Sequence, residues 1–597
     1  MPQPGEPPDP AAPRPYGGEA RSDPYGPERR SDGRNSGEAY HPELTSQREA
    51  YGREPGGAAQ SRRQYEADQL AHRPALPGPR LATPIGQPPR RQQSGPAHMT
   101  NGRGRRRLGV LIVFVLVVGL TAFGVQRFVF SEDGPAADEE SLLPAPLPTT
   151  TTTPAQAAAP PASESGFATP GLLTFRGSAT RSYYGRGPVP TDPEILWSYP
   201  GRSGGMCADS TVGNETKVWC GSGWTGQPSV FERDGRTWVV FGAYDRAIHF
   251  VDYDTGEDII PPFPTGDIIK GSVTIDPDGM PIVYSGSRDN KLHVVAFDRP
   301  QPTELWSLSA DAVSPTKWND DWDGSPLIMG DYLYEGGENS QFHIVKLNRM
   351  IGNDGLVQVN PNLVFHAPGW DDELLSSLNT RQNDVSIENS VAYHDGIVYF
   401  ANSGGLVQGW DVSGLADGVE PTRVFRYWAG DDIDASVVID EDGFLYVGVE
   451  NERGNARAAE VGQLIKLDPR QPDNPLVWSL KDPRGFWTTP ALYKDVVIAA
   501  SDGGTVYAVD QATGAVRWKF SLPPPTWQSA VIVGDTLIQG DCEGGLHAYD
   551  VSDTSAAPPE LWSVQLEGCI ESTPAVWDGR IFVGARGGRF YAIGDPG

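Results

Sequence analysis

Four short segments hold the residues of this chain best able to do chemistry. They are Trp318-Asn319-Asp320-Asp321-Trp322-Asp323-Gly324, Trp370-Asp371-Asp372-Glu373, Asp431-Asp432-Ile433-Asp434 and Glu567-Gly-Cys-Ile-Glu571. Carboxylates gathered in a cleft focus negative potential and attract a metal ion, an amine or a basic peptide. The neighbouring indoles add cation–π contacts to the same ligands. Asn319, Asp321 and Asp323 alternate ahead of Gly324 like the opening of a calcium loop and are the candidate metal ligands. Gly330, however, stands at the twelfth position, where such a loop needs a bidentate Glu. A solvated rim on a chain of net charge −29 has the same composition.

Catalytic groupings are sparse. No His-Glu-x-x-His and no phosphate-binding loop occurs, and no catalytic residue is assigned. His249, His293, His343 and His547 fall at related places in a repeat, which reads as strand residues rather than ligands. The four cysteines, Cys207, Cys220, Cys542 and Cys569, form no CxxC. An even count in an exported segment suggests two disulfides with three possible pairings. Cys207–Cys220 with Cys542–Cys569 closes the shortest loops, and four buried free thiols is the other reading.

The elements that must position these residues are set by a repeat of about 40 residues, the signature of stacked supersecondary units. Its clearest copy runs from Trp487-Thr-Thr-Pro-Ala through Ser501-Asp-Gly-Gly and Tyr507-Ala-Val-Asp510 to Thr513-Gly514-Ala-Val-Arg-Trp518. Runs such as 496–500 and 505–509 are β-branched and aromatic, with Lys-Asp, Asp-Gly or Gly-Gly turns between them, so each copy predicts four antiparallel strands. The Ser or Thr opening each copy, at Ser229, Ser272, Ser325, Ser390, Ser436, Thr489, Ser529 and Thr573, counts eight blades of an all-β propeller. Closing aromatics recur as Trp306, Phe365, Trp478, Trp518 and Trp562, less clearly in blades 1 and 4, and insertions fall at 348–382 and 450–462. The last copy stops at Tyr591-Ala-Ile. Pro193-Glu-Ile-Leu-Trp197 supplies its missing strand and closes the ring, removing the open edges.

The phrase Tyr507-Ala-Val-Asp510-Gln-Ala-Thr513-Gly514-Ala-Val-Arg-Trp518 resembles the repeat of PQQ-like, quinoprotein-type eight-bladed propellers. Phe175-Arg-Gly-Ser-Ala-Thr-Arg181-Ser-Tyr-Tyr-Gly185-Arg-Gly-Pro188 is similar to the lead-in of bacterial members. The resemblance implies that the repeat Ala and Trp dock neighbouring blades. It also implies one of two functions. Quinoprotein dehydrogenases hold pyrroloquinoline quinone (PQQ) and calcium in the channel, typically beside a pair of adjacent cysteines. Cofactor-free members, such as the lipoprotein of the outer-membrane β-barrel assembly machinery, present loops to partner proteins. This chain has no Cys-Cys and no CxxCH, which places the expectation with the second group, no cofactor bound. PQQ and calcium, oxidising an alcohol or sugar, is the alternative.

Composition divides the rest of the chain. Residues 1–107 are rich in Pro, Gly and Arg, hold 17 Arg against 12 acids and carry no Trp. Such a segment cannot bury enough apolar area to offset chain entropy and reads as a disordered cytoplasmic tail. Residues 108–130 open with an uncharged run, LGVLIVFVLVVGLTAFGV, long enough to approach a bilayer core. Arginines precede it and acids follow it, giving a signal anchor with its N-terminus cytoplasmic. Residues 131–171 are a Pro/Ala/Thr-rich linker, and 172–597 the propeller. The acidic body repels nucleic acid. The expected partner is an envelope protein or cationic ligand at the acidic propeller face, with the membrane engaged through one helix.

Overall fold

A computed structural model describes residues 165–597, apart from 202–203, 213–214 and 379–383. The expected tail, the span at 108–130 and all but the end of the linker lie outside the described residues. Among the described residues no helix is long and apolar enough to cross a membrane.

Eight antiparallel sheets form a closed ring. Blades 2 to 7 have four strands each; blade 6, for example, runs Ala491–Tyr493, Val496–Ala500, Thr505–Asp510 and Val516–Ser521. Glu194–Tyr199 pairs antiparallel with Arg589–Gly594 and completes blade 8, the closure expected from the truncated last repeat. Blade 4's closing aromatic is Phe425 on Thr422–Trp428, and blade 1's outer strand is only Phe263–Pro264. Part of the first expected insertion is regular: Asn362–Pro368 is the outer strand of blade 3. Two short α-helices, Asp372–Ser377 and Ala456–Val461, sit in the two insertions.

The repeat residues hold the ring in two ways. The indole of Trp478 on blade 5 donates to Gln511 O on the Thr-Gly turn of blade 6 at 2.9 Å, and Trp197 on blade 8 donates likewise to Tyr253 O of blade 1 at 3.0 Å. Glycine is required under each ring, since a Cβ at Gly514 or Gly256 would lie 2.7 or 2.6 Å from the indole. Nearer the axis the opening hydroxyls form a belt. The backbone N–H of Ser325 donates to Ser390 Oγ, Ser390 to Ser436, Ser436 to Thr489 and Thr489 to Ser529, at 2.9 to 3.0 Å.

Residues 171–186 plug one end of the channel, a role that their similarity to a family lead-in did not reveal. Gly171–Leu172 joins the inner strand of blade 1, and Gly185–Arg186 runs parallel to that of blade 8. Between them Leu173 O, Ala179 O and Thr180 O accept from Ile275, Tyr393 and Ile439 of blades 2, 4 and 5. Arg176 and Arg181, both 0% exposed, spend their guanidinium N–H groups on carbonyls of Ala530 and Pro490, and of Val391, Ser325 and Phe175. A buried guanidinium is tolerated only when its donors are satisfied this fully. The segment therefore ties every blade to one strap.

Both expected disulfides form, Cys207–Cys220 across the hairpin Cys207–Val212 and Glu215–Cys220, and Cys542–Cys569 between blades 7 and 8.

Candidate functional site

Antiparallel blades put two connections of every repeat on the same face: the loop entering the inner strand and the turn joining the second and third strands. Two residues before the belt hydroxyl, the eight blades contribute Gln227, Lys270, Asp323, Glu388, Asp434, Trp487, Trp527 and Glu571. Blades 3, 4 and 5 thus set three carboxylates side by side above the belt, at the end of the channel opposite the incoming chain. Helix Ala456–Val461, helix Asp372–Ser377 and the hairpin containing Cys207 lie on connections of this same face.

In blade 3, Asp321, Asp323 and Glu338 bring a carboxylate oxygen each within 4.8 Å of one another, all buried. Lys270 Nζ lies among them, 3.1 Å from Asp321 Oδ2, 2.5 Å from Asp323 Oδ2 and 2.8 Å from Glu338 Oε1. Arg288 Nε adds a contact to Asp321 at 2.9 Å. The ammonium therefore takes the central position expected of a metal ion, and Asn319 turns its NH2 to Glu338 Oε2 at 2.8 Å. Burial, and then the charge of Glu338, pushes Asp321 up to about 6, and burial pushes Glu338 up to about 7. Two cations against three acids leave the cluster close to balance only while one acid keeps its proton.

Blade 5 builds the same arrangement from the same repeat positions: Asp432, Asp434 and Glu450, again within 4.8 Å and buried. The backbone repeats too, Glu450 N–H donating to Asp432 O at 2.9 Å as Glu338 N–H does to Asp321 O at 3.0 Å. Arg453 binds Asp432 Oδ2 at 2.9 Å and Trp487 Nε1 donates to Asp434 Oδ2 at 2.7 Å. At the place of Lys270 the preceding blade offers Glu388, and at the place of Arg288 it offers Ser403, whose N–H donates to Ser386 O as that of Arg288 does to Ile268 O. Glu388 is half-buried. Burial, then Asp434, Glu338, Asp384 and Asp323, hold its carboxyl well above the ordinary range. Over the axis Trp224 and Trp487 stack with centroids 5.3 Å apart, Trp527 meets Trp487 edge-on, and Cys542 and Cys569 pack against them.

The structure sorts the residues singled out by sequence. Asp321, Asp323, Asp432 and Asp434 enter the two triads. Asp431 instead accepts the backbone N–H groups of Arg453 and Gly454 and shapes the blade 5 insertion. Asp371 caps helix Asp372–Ser377 through Leu374 N and binds Arg423 and Arg426, which hold its carboxyl well below the ordinary range. Asp320, Asp372 and Glu373 are exposed. Trp322 is core, 5.0 Å from the ring of His343. Trp318 and Trp370 are half-buried, with Lys317 over the Trp370 ring at 5.3 Å. Glu571 pairs with Arg586 at 3.0 Å. Lys270, Glu388, Trp487, Glu338 and Glu450 were not singled out by sequence; the signal that could have found the first three is the position two before each belt hydroxyl, and for Glu338 and Glu450 the position two after Gly336 and Gly448. His249, His293 and His547 are strand residues bound to turn aspartates Asp245, Asp289 and Asp541.

The fold is an eight-bladed propeller, and part of its repeat is similar to a known family. Residues 370–520 and 502–595 match the family model described as outer membrane protein assembly factor BamB. Similar solved structures include BamB from Moraxella catarrhalis, at 16% identity over 61% of this chain and 93% of that chain, with a TM-score of 0.42. A europium-containing methanol dehydrogenase is similar at 10% identity over 71% and 98%, TM-score 0.49. The quinohemoprotein alcohol dehydrogenase from Comamonas testosteroni is similar at 13% identity over 72% and 81%, TM-score 0.47. No curated protein matches the chain by sequence.

Proposed function

We propose that this chain is a non-catalytic binding scaffold of the cell envelope, held by one membrane helix and engaging an envelope protein or cationic ligand through its acidic face. The observation that carries the reading is the convergence of Asp323, Glu388 and Asp434 from three adjacent blades at one end of the channel. The insertions decorate that same face, which is where a binding module varies its scaffold. With the span N-terminus cytoplasmic, the linker reaches the propeller at the opposite end, next to Thr169 N–H on Pro277 O. Anchor and acidic face are then at opposite poles of the exported body.

A quinone cofactor fits this residue set poorly. PQQ is a tricarboxylic acid, and the ring it would face offers it Asp, Glu and Asp. The nearby cations Lys270, Arg288 and Arg453 are already engaged by carboxylates.

The test is site-specific photo-crosslinking of the full chain in its membrane. A crosslinker at Asp372 or Glu452 on the acidic face should give defined adducts that fade with added salt. One at Val516 on an outer strand should not. Equal adducts from both sites, or quinone- and calcium-dependent dye reduction by the purified chain with an alcohol, would overturn the reading.

A further inference from the structure

We propose that Asp541, His547 and Glu560 form a pH-operated latch, which fastens the mouth turn of blade 7 to its outer strand only while the imidazole carries both protons. The latch concerns blade 7 alone and stands whatever the acidic face binds. The first observation is geometric. His547, on Gly545–Asp550, sets Nε2 3.1 Å from Asp541 Oδ2, at the head of the turn 541–544. Its Nδ1 lies 2.9 Å from Glu560 Oε1, at the start of the outer strand Glu560–Gln565. An ionised carboxylate only accepts, and a neutral imidazole has a single N–H, so only the imidazolium donates to both. Turn and outer strand meet through that one ring.

The second observation is that the repeat varies the partner with the blade. Blade 2 copies the arrangement, His293 reaching Asp289 at 3.1 Å and Glu304 at 2.5 Å, and both outer strands read Glu-Leu-Trp-Ser, at 304–307 and 560–563. Elsewhere the second acid is missing. His249 has Asp245 and the Tyr199 hydroxyl, and His343 meets Asn339 at 3.5 Å and pairs in register with His366. Blade 7 adds a mechanical consequence. Its turn carries Cys542, bonded to Cys569 of blade 8, and Asp541 O accepts the N–H of Ile570 at 3.0 Å. Both cysteines are half-buried and pack against Trp224, Trp487 and Trp527 at the channel mouth. The groups facing the ring are Asp541, Glu560, Tyr549 on its own strand, Gln539 on the second strand and Ser563 on the outer strand. From blade 6, Phe520 lies on Tyr549 at 4.5 Å, while Lys519 lies over the Tyr507 ring at 5.7 Å. Burial by itself would lower His547, but the bonds to Asp541 and Glu560 outweigh it and raise the imidazole above its ordinary 6.5. The folded value is the raised one, so the latch is complete below pH 6.5 and is lost as pH climbs through the folded value.

The experiment is reduction of the full chain in detergent by a water-soluble phosphine, from about pH 5.5 to about pH 8.5, which brackets a raised imidazole. The two disulfides are followed separately by alkylation and peptide mass spectrometry, and Cys207–Cys220 calibrates the reagent at each pH. Relative to it, Cys542–Cys569 of the wild type should open faster as pH rises, by about threefold or more over the range. His547→Gln carries no proton to lose and should open fast at every pH. Glu560→Gln supplies an amide that donates to the neutral ring, so its disulfide should stay slow at high pH. A wild-type ratio that is flat with pH would overturn the latch, as would a pH rise that survives in a natively melting His547→Gln. Should His547→Gln not melt natively, Glu560→Gln decides: a pH rise there equal to that of the wild type overturns the latch, and a flat, slow profile supports it.

Discussion

Blades 3 and 5 carry the same three carboxylates on the same repeat positions and differ in what stands next door. Blade 2 hands blade 3 a lysine and an arginine. Blade 4 hands blade 5 a glutamate and a serine, Glu388 and Ser403. The difference continues inward, because blade 3 backs its triad with Glu335 opposite His343, whereas the matching pair of blade 5 is Val447 opposite Ile465. One triad is thus closed by the chain's own cations and built into a polar interior. The other is bound by Arg453 at Asp432, rests on an apolar interior and has a fourth acid, Glu388, beside it. Repetition duplicates the scaffold, and changes at two positions of the neighbouring blade alter what stands against the same three carboxylates.

The largest effect should come from removing the cation that closes blade 3. Lys270→Met leaves Asp321, Asp323 and Glu338 buried around Arg288 alone, and breaking such a cluster costs about 3–5 kcal/mol. Urea unfolding should show this as a lower midpoint with unchanged slope. Adding Asp323→Asn to Lys270→Met should recover much of the loss. The matching change at blade 5, Glu388→Gln, removes a like charge and should be neutral or slightly stabilising. If Glu388→Gln destabilises as much as Lys270→Met, the two triads are not different in kind.

Next in size is a pH effect that blade 3 has and blade 5 lacks. Burial, with His366 adding to it, lowers His343 from 6.5 to about 3, so the folded protein keeps this imidazole neutral where the unfolded chain protonates it. The folded pKa is the depressed one. Its contribution is therefore complete above pH 6.5 and is lost as pH falls towards about 3. His343→Ile copies blade 5 and should remove a stability slope of at most about 1.4 kcal/mol per pH unit across that window. The stability of wild type relative to the variant should therefore fall as the buffer is acidified. Parallel pH profiles for the two proteins would show that His343 is charged in the folded state.

Much of this comparison could be read before any coordinates, and the missing parts have physical causes. The belt residues Ser229 to Thr573 count the blades correctly, and those at Ser390, Ser436, Thr489 and Ser529 recur because each hydroxyl receives a backbone N–H of the preceding blade. The closure by Trp197 followed from a truncated last copy. Asp321, Asp323, Asp432 and Asp434 were visible since they precede the belt at fixed spacing. Glu338 and Glu450 were not, because they come from turns whose lengths differ, and Glu450 opens an insertion. Lys270 was missed as a lone basic residue among apolar neighbours, where charge runs give no signal. Arg176 and Arg181 were hidden by the rule that arginine is seldom fully buried. The strap they anchor satisfies backbone carbonyls of several blades at once, a long-range arrangement with no local pattern.

The smallest effects should mark the limits of the site at helix Asp372–Ser377, which carries acids that belong to neither triad. Asp371 caps that helix and binds two arginines, so Asp371→Ala should cost about 1 kcal/mol, measured by thermal or urea unfolding. Asp372 and Glu373 are exposed, and among the described residues the Glu373 carboxylate pairs with Arg426 at 3.3 Å. Changing both to Ser should alter stability by no more than about 0.5 kcal/mol. What these two residues can change is approach: rim charges act on association rate and its salt dependence rather than on the bound state. Stopped-flow association of a lysine peptide should therefore slow modestly in the double variant at low salt and match wild type at high salt. A slower association that persists unchanged at high salt would mean that Asp372 and Glu373 touch the bound peptide rather than steer its approach.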